Sequence, residues 1–215
     1  GASIAALDGG GVAVTWTREI GAQTEVWYAV YTSTGGVVRA PTLADTGGTI
    51  NRNVSVAAMN GGGFAIAYED NGYDGDVDIT LAAFNATGGI SWATSVSPFS
   101  SDDANPFVAR LSNDMLAVSY GNNAFADTDT RVHLIDPATG ESLASRWVTG
   151  GEAGGDDADF AALAGFGFGR LAVFLTNLTD GDVDGQDFQA IRTTLGDDAR
   201  SEERRVGKKC RSRWS

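Results

Sequence analysis

Between residues 179 and 188 the sequence runs TDGDVDGQDF, placing carboxylates at Asp180, Asp182, Asp184 and Asp187 with a glycine at 185. Alternate aspartates on a turning loop can aim their oxygens inward together, and calcium takes six to eight such oxygens. Asp180, Asp182 and Asp184 would fill positions 1, 3 and 5, and Gly185 would allow the sharp turn. The Gln186 carbonyl and the Asp187 carboxylate would complete the shell. The rival reading is a solvated turn, because Asp and Gly are favoured wherever a chain reverses. A second stretch, DNGYDGDVD at residues 70–78, offers Asp74, Asp76 and Asp78, but Ile79 stands where the glycine belongs. Two equivalent stretches keep only Asp127 with Asp129, or Glu19 with Glu25. Calcium is the expected cofactor, first at 180–187 and second at 74–78.

Signals for covalent or acid–base catalysis are sparse. The single histidine, His133, falls inside an expected strand and reads as a packed side chain. No G-x-S-x-G elbow, H-E-x-x-H pair or metal-spaced histidine group occurs. No catalytic residue is assigned on this basis.

The elements that carry these loops repeat. IAALDGGGVAVTW at residues 4–16 returns as VAAMNGGGFAIAY at 56–68 and as VARLSNDMLAVSY at 108–120. A fourth copy, FAALAGFGFGRLAVFL at 160–175, carries three extra residues that the alignment places in its turn. Ala5, Ala57, Ala109 and Ala161 then recur at a period of 52. Each copy reads as strand A, a glycine-rich hairpin and strand B, because glycine supplies the positive φ of a tight turn. An acidic loop leads to strand C, expected at 26–31, 79–84, 132–135 and 188–191. A turn such as STGG or ATGG leads to strand D, expected at 90–96 and 142–148. No stretch sustains a helical period.

Four antiparallel strands in each unit of this length predict an all-β fold, a β-propeller fragment of about four four-stranded blades. The blades fall at about 1–48, 49–100, 101–150 and 151–199, with both ends expected to be cuts in a longer repeat array. In such a blade the B–C and D–A segments emerge on one face, and that face collects 22 of the 26 acids of residues 1–199. Only Asp8, Asp114, Asp136 and Glu141 fall on the other.

Charge divides the chain abruptly. Residues 1–199 hold 8 arginines, no lysine and 26 acids, a net −18, whereas 200–215 hold 7 of the 15 basic residues, both lysines and Cys210. A surface that acidic repels phosphate, so nucleic acid is excluded as a partner. No run approaches the roughly 18 apolar residues of a membrane helix. Absent thiols with high acidity suit an extracellular bacterial protein. The tail RSEERRVGKKCRSRWS resembles the translation of a common sequencing-adapter oligonucleotide, departing at Lys209, and is set apart from the fold.

The pattern of hairpins, the loop after strand B and the trailing GG over residues 1–199 resembles repeats of large secreted bacterial proteins related to the RTX, or haemolysin-type calcium-binding, group. The GGxGxDxxx nonapeptide of RTX rolls is absent. The 180–187 loop also resembles the DxDxDG loops of integrin-type propellers, although its fourth acid comes one position early and Ile191 replaces the last glutamate of an EF-hand. These resemblances imply a secreted or cell-surface, non-catalytic module for scaffolding, adhesion or ligand binding. Its expected partners are further blades or domains of the same chain and an extracellular ligand or glycan. The alternative is a fragment of a propeller enzyme that cleaves glycosides or polysaccharides, to which Asp156, Asp157 and Asp159 could lend a carboxylate.

Overall fold

Alternation of apolar and small or polar residues, broken by glycine turns, produces fifteen strands in four antiparallel sheets among the described residues. The structure is a computed structural model that describes residues 1–44, 49–72, 75–97, 101–123, 128–148, 158–166, 170–177 and 183–189. Blade 1 comprises β1 (Ala2–Ala6), β2 (Val12–Ile20), β3 (Gln23–Tyr31) and β4 (Val37–Leu43). Blade 2 comprises β5 (Asn51–Ala58), β6 (Phe64–Asp70), β7 (Asp78–Phe84) and β8 (Ile90–Ser95). Blade 3 comprises β9 (Asp103–Arg110), β10 (Leu116–Asn122), β11 (Asp129–Ile135) and β12 (Ser142–Trp147). Blade 4 shows β13 (Ala158–Phe166), β14 (Arg170–Asn177) and β15 (Val183–Gln189). Each sheet runs in sequence order, as successive hairpins require, and the expected all-β propeller architecture is what the chain forms.

Three details differ from the sequence reading. In blade 1 no acidic loop separates strands B and C. β2 and β3 run to a two-residue turn at Gly21 and Ala22, and Glu19 and Glu25 pair with Thr24 and Arg18. In blade 4, strand C starts at Val183 and not at Phe188. The fourth repeat also steps by 55: Ala164 pairs with Ala172 as Ala109 pairs with Ala117, so Ala161 is not the fourth equivalent alanine.

Side chains alternate across each strand, so blades 2 and 3 each meet the blade before with one face and the blade after with the other. Ala13, Val26, Tyr28 and Val30 of blade 1 pack on Phe64, Ile66 and Tyr68 of blade 2. Ala57, Ala65, Ala67, Ile79 and Leu81 pack in turn on Leu116, Val118 and Tyr120 of blade 3. Leu111, Ala117 and Leu134 pack on Leu171 and Val173 of blade 4. Alanine on the inner strands lets adjacent sheets approach closely near the axis, while larger side chains fill the space further out.

Polar stitches fix the blades against each other. Near the axis, the Ser3 hydroxyl accepts the Val56 N–H (3.2 Å) and the Ser55 hydroxyl accepts the Val108 N–H (3.1 Å). At the outer rim, Arg39 donates to the Gly88 carbonyl (2.8 Å) and Trp92 to the Pro137 carbonyl (3.0 Å). The rim turn of blade 3 needs a glycine twice over: Gly140 has φ 77°, and a Cβ there would lie 2.6 Å from the Trp92 ring. On the hairpin face, Arg110 of blade 3 reaches Asp8 of blade 1 (3.1 Å) and its own Asp114 (2.5 Å), while Asn60 of blade 2 donates to Asp114. The Arg110–Asp114 pair of blade 3 thus links to blade 1 through the guanidinium and to blade 2 through the carboxylate.

Candidate functional site

At the opposite end of the blades the strands finish in a row of polar residues. In blade 2 the register sets Asn51 opposite Asp70 and Asp70 opposite Asp78. In blade 3 the same row reads Asp103, Asn122 and Asp129. Amide and acid have exchanged strands between the two blades. Asp78, Asp103 and Asp129 are 3%, 1% and 2% exposed, an unusual depth for carboxylates.

Asp103 sits at the seam between the two blades. The Asn122 amide donates to its Oδ1 at 2.6 Å, and its own N–H donates to the Val77 carbonyl at 2.7 Å. Asp102, beside it and exposed, accepts the Val77 N–H at 3.0 Å, which ties the connector before β9 to the loop before β7. Burial raises the Asp103 carboxyl to about 7. Hydrogen bonds from Ser97 and Asn122 pull it down, and the charges of Asp78 and Asp76 push it further up. Below neutral pH the group therefore holds its proton in the company of other carboxylates.

Two more buried groups adjoin it. Glu69, 0% exposed, accepts from Arg52 Nε (2.6 Å), from Asn53 Nδ2 (2.5 Å) and from the Asn105 N–H of blade 3 (2.9 Å). Asn53 and Asn105, one repeat apart, both adopt the left-handed region (φ 52° and 55°) where β5 and β9 bulge. Deeper in blade 3, Tyr120 Oη lies 3.1 Å from His133 Nε2, and His133 Nδ1 lies 2.8 Å from the Ser142 hydroxyl. Burial lowers His133 to about 4, helped by the positive charge of Arg131. Burial likewise raises the Tyr120 phenol, and the Asp103 charge adds to it. His133 is a packed histidine, as its strand position suggested.

The sequence-predicted residues fare unevenly. Asp76 and Asp78 come beside Asp103, which sequence reading had left in the connector. Asp74, Asp180 and Asp182 lie outside the described residues, as do Asp127, Asp156 and Asp157. Asp184, Gln186 and Asp187 lie in the extended backbone of β15, paired with Leu175, Val173 and Ala172, and not in a loop. Among the described residues no three His, Cys, Asp or Glu side chains gather as a metal ion would need. Asp103, Asn122, Glu69 and Tyr120 were not foreseen. The signal that could have found them is the exchange of Asn51 and Asp70 for Asp103 and Asn122 at the 52-residue spacing.

The fold and this loop-end row define a β-propeller whose acidic groups are concentrated at one end. No protein-family model and no curated protein matches the chain. Solved structures do match. One, an endo-arabinase from Bacteroides thetaiotaomicron, has a TM-score of 0.52 at 8% identity, over 83% of this chain and 70% of that one. A thermostable family-43 glycoside hydrolase gives 0.54 at 11% identity, over 87% and 68%. A protein of unknown function from Dyadobacter fermentans gives 0.61 at 8% identity, over 89% and 65%. The family-43 hydrolases are five-bladed propellers, and at these identities the likeness is one of fold. Among the described residues no helix is long and apolar enough to cross a membrane.

Proposed function

We propose that the chain is the greater part of a secreted propeller that acts on carbohydrate by cleaving glycosidic bonds. The supporting observation is the gathering of carboxylates at the loop end of blades 2 and 3, with Asp103 holding its proton up to about pH 7. Glycoside cleavage needs one protonated and one ionised carboxyl group close together, and environments that push two such groups apart in pKa are how proteins supply them. At 1% exposure Asp103 does not itself touch a sugar. Its role is to keep negative charge low beneath the surface where Asp102 is exposed. The likeness to an endo-arabinase and a family-43 hydrolase makes arabinan the first substrate to try. Retardation in an arabinan gel together with release of reducing sugar, both weakened by Asp102→Asn, is expected. Neither retardation nor sugar release on arabinan would overturn this reading.

A second reading, a non-catalytic scaffold or adhesion module stabilised by calcium, is favoured by the spacing of Asp180, Asp182 and Asp184 ahead of Gly185. An ion that binds only the folded state must raise its melting temperature. The test is a thermal melt in calcium and in chelator, with Asp180→Asn and Asp182→Asn as controls. Equal melting temperatures in the two conditions would sink it.

A further inference from the structure

The front face of blade 1 is left uncovered although it has the composition of a buried one. In blade 2 the face that meets the preceding blade is formed by Val56, Phe64, Ile66, Tyr68 and Phe84, none more than 8% exposed. In blade 3 the corresponding residues are Val108, Leu116, Val118, Tyr120 and Ile135, none more than 2% exposed. The register places Ile4, Val12, Val14, Trp16 and Tyr31 at these positions in blade 1. They are just as apolar, yet Ile4 is 66% exposed and the other four are half-buried. An apolar sheet face of this extent marks an interaction surface.

What covers the equivalent faces identifies the occupant. Each is met by the back of the preceding blade, where paired alanines of strands A and B (Ala5 with Ala13, Ala57 with Ala65, Ala109 with Ala117) leave room for the large front-face side chains. A back face of the same kind stands open on blade 4, where Ala164 pairs with Ala172 and Phe174 is 48% exposed. Among the described residues both complementary faces are open at once. We infer that the front face of blade 1 seats a fifth blade of the same repeat, docked by an alanine-lined back. This rests on the repeat register alone and is independent of any activity toward carbohydrate.

The test grafts a blade where the face expects one. A copy of residues 49–100 is joined ahead of Gly1 of the full chain, and the dye ANS, which reports exposed apolar surface, is titrated against both proteins. Fusion should lower ANS fluorescence several-fold and raise the melting temperature. Ile4→Glu should abolish both effects in the fused protein. In the unfused chain it should leave the melting temperature unchanged, because Ile4 is exposed there; this control separates a lost interface from a misfolded blade. Unchanged ANS binding on fusion would overturn the inference. So would light scattering that shows the unfused chain as a dimer with low ANS binding, since a second copy would then be the occupant.

Discussion

Asp103 and His133 carry opposite errands in proton linkage, and together they make a sharp prediction about stability. The Asp103 carboxyl rises from 3.8 to about 7 on folding, so between these values the folded chain holds a proton that the unfolded chain lacks. Its contribution is fully present below 3.8 and is lost as pH rises to 7, at about 1.4 kcal/mol per pH unit. His133 falls from 6.5 to about 4, so between these values the unfolded chain holds the extra proton. Its contribution is absent at low pH and returns as pH rises to 6.5 with a slope of the same size. Between pH 4.5 and 6.5 the two slopes cancel. His133→Gln removes one of them and leaves the decline due to Asp103, about 3 kcal/mol over that interval relative to the parent protein. Asp103→Asn removes the other, so stability relative to the parent should rise by a similar amount. Asp76 and Asp78 face Asp103 across the seam and Arg131 faces His133, so the titrations belong to these clusters. Comparing variants cancels the background of other carboxylates. The assay is urea unfolding followed by circular dichroism at pH 4.5, 5.5 and 6.5, with the double variant expected to run parallel to the parent. Single-variant curves parallel to the parent would refute the reasoning, whatever their absolute offset.

Other substitutions test the seams between blades. Glu69→Ala strips the partner from Arg52, Asn53 and the Asn105 N–H at once, and should cost about 1–3 kcal/mol in urea unfolding, the scale of buried donors left unsatisfied, since the Arg52 side chain is half exposed and can turn to water. Glu69→Gln, which keeps an acceptor, should cost clearly less. Gly140→Ala forces a left-handed φ on alanine and drives a methyl into Trp92, a loss of about 1–3 kcal/mol. Trp92→Ala in the same chain should remove the steric part, so the two changes should be non-additive. Arg110→Ala breaks contacts whose acids are almost half exposed, so about 1 kcal/mol is expected, shrinking at high salt.

Most of the architecture was legible because turn chemistry and alternation agree in every blade. Glycine or Asx residues punctuate each hairpin, and the interior alanines of the first three blades recur at a step of 52. Where the reading slipped, the local sequence was ambiguous. REIGAQTE in blade 1 looks like an acidic loop by composition, but Gly21 alone suffices for a two-residue turn. In blade 4 alanines at 161, 162 and 164 offer several registers, and pairing with β14 selects Ala164. The site was half legible. Asp76 and Asp78 were found, but Asp103 was not placed with them, because it comes from a segment that only packing brings against their loop. Carboxylate burial is a tertiary property that spacing along one loop cannot report.

The exchange of acid and amide between blades 2 and 3 shows how a repeat can differentiate without losing its fold. A pair of one carboxylate and one carboxamide has a donor and an acceptor whichever strand carries which, so both arrangements are compatible with the ladder. What changes is the environment of the charge. On strand B of blade 2, Asp70 accepts the Gly72 N–H at 2.7 Å and stays half-buried at the rim. On strand A of blade 3, Asp103 is driven into the seam against Asp76 and Asp78 and keeps its proton. At the residues of blade 1 that the register aligns with Asp76 and Asp78 stand Gln23 and Glu25, and the strand A residue of blade 2 is the uncharged Asn51, so that seam has one carboxylate where the next has three. The seam between blades 2 and 3 is therefore chemically distinct from that between blades 1 and 2, although both are built from one repeat. The exchange thus differentiates the repeat at the point where the carboxylates gather.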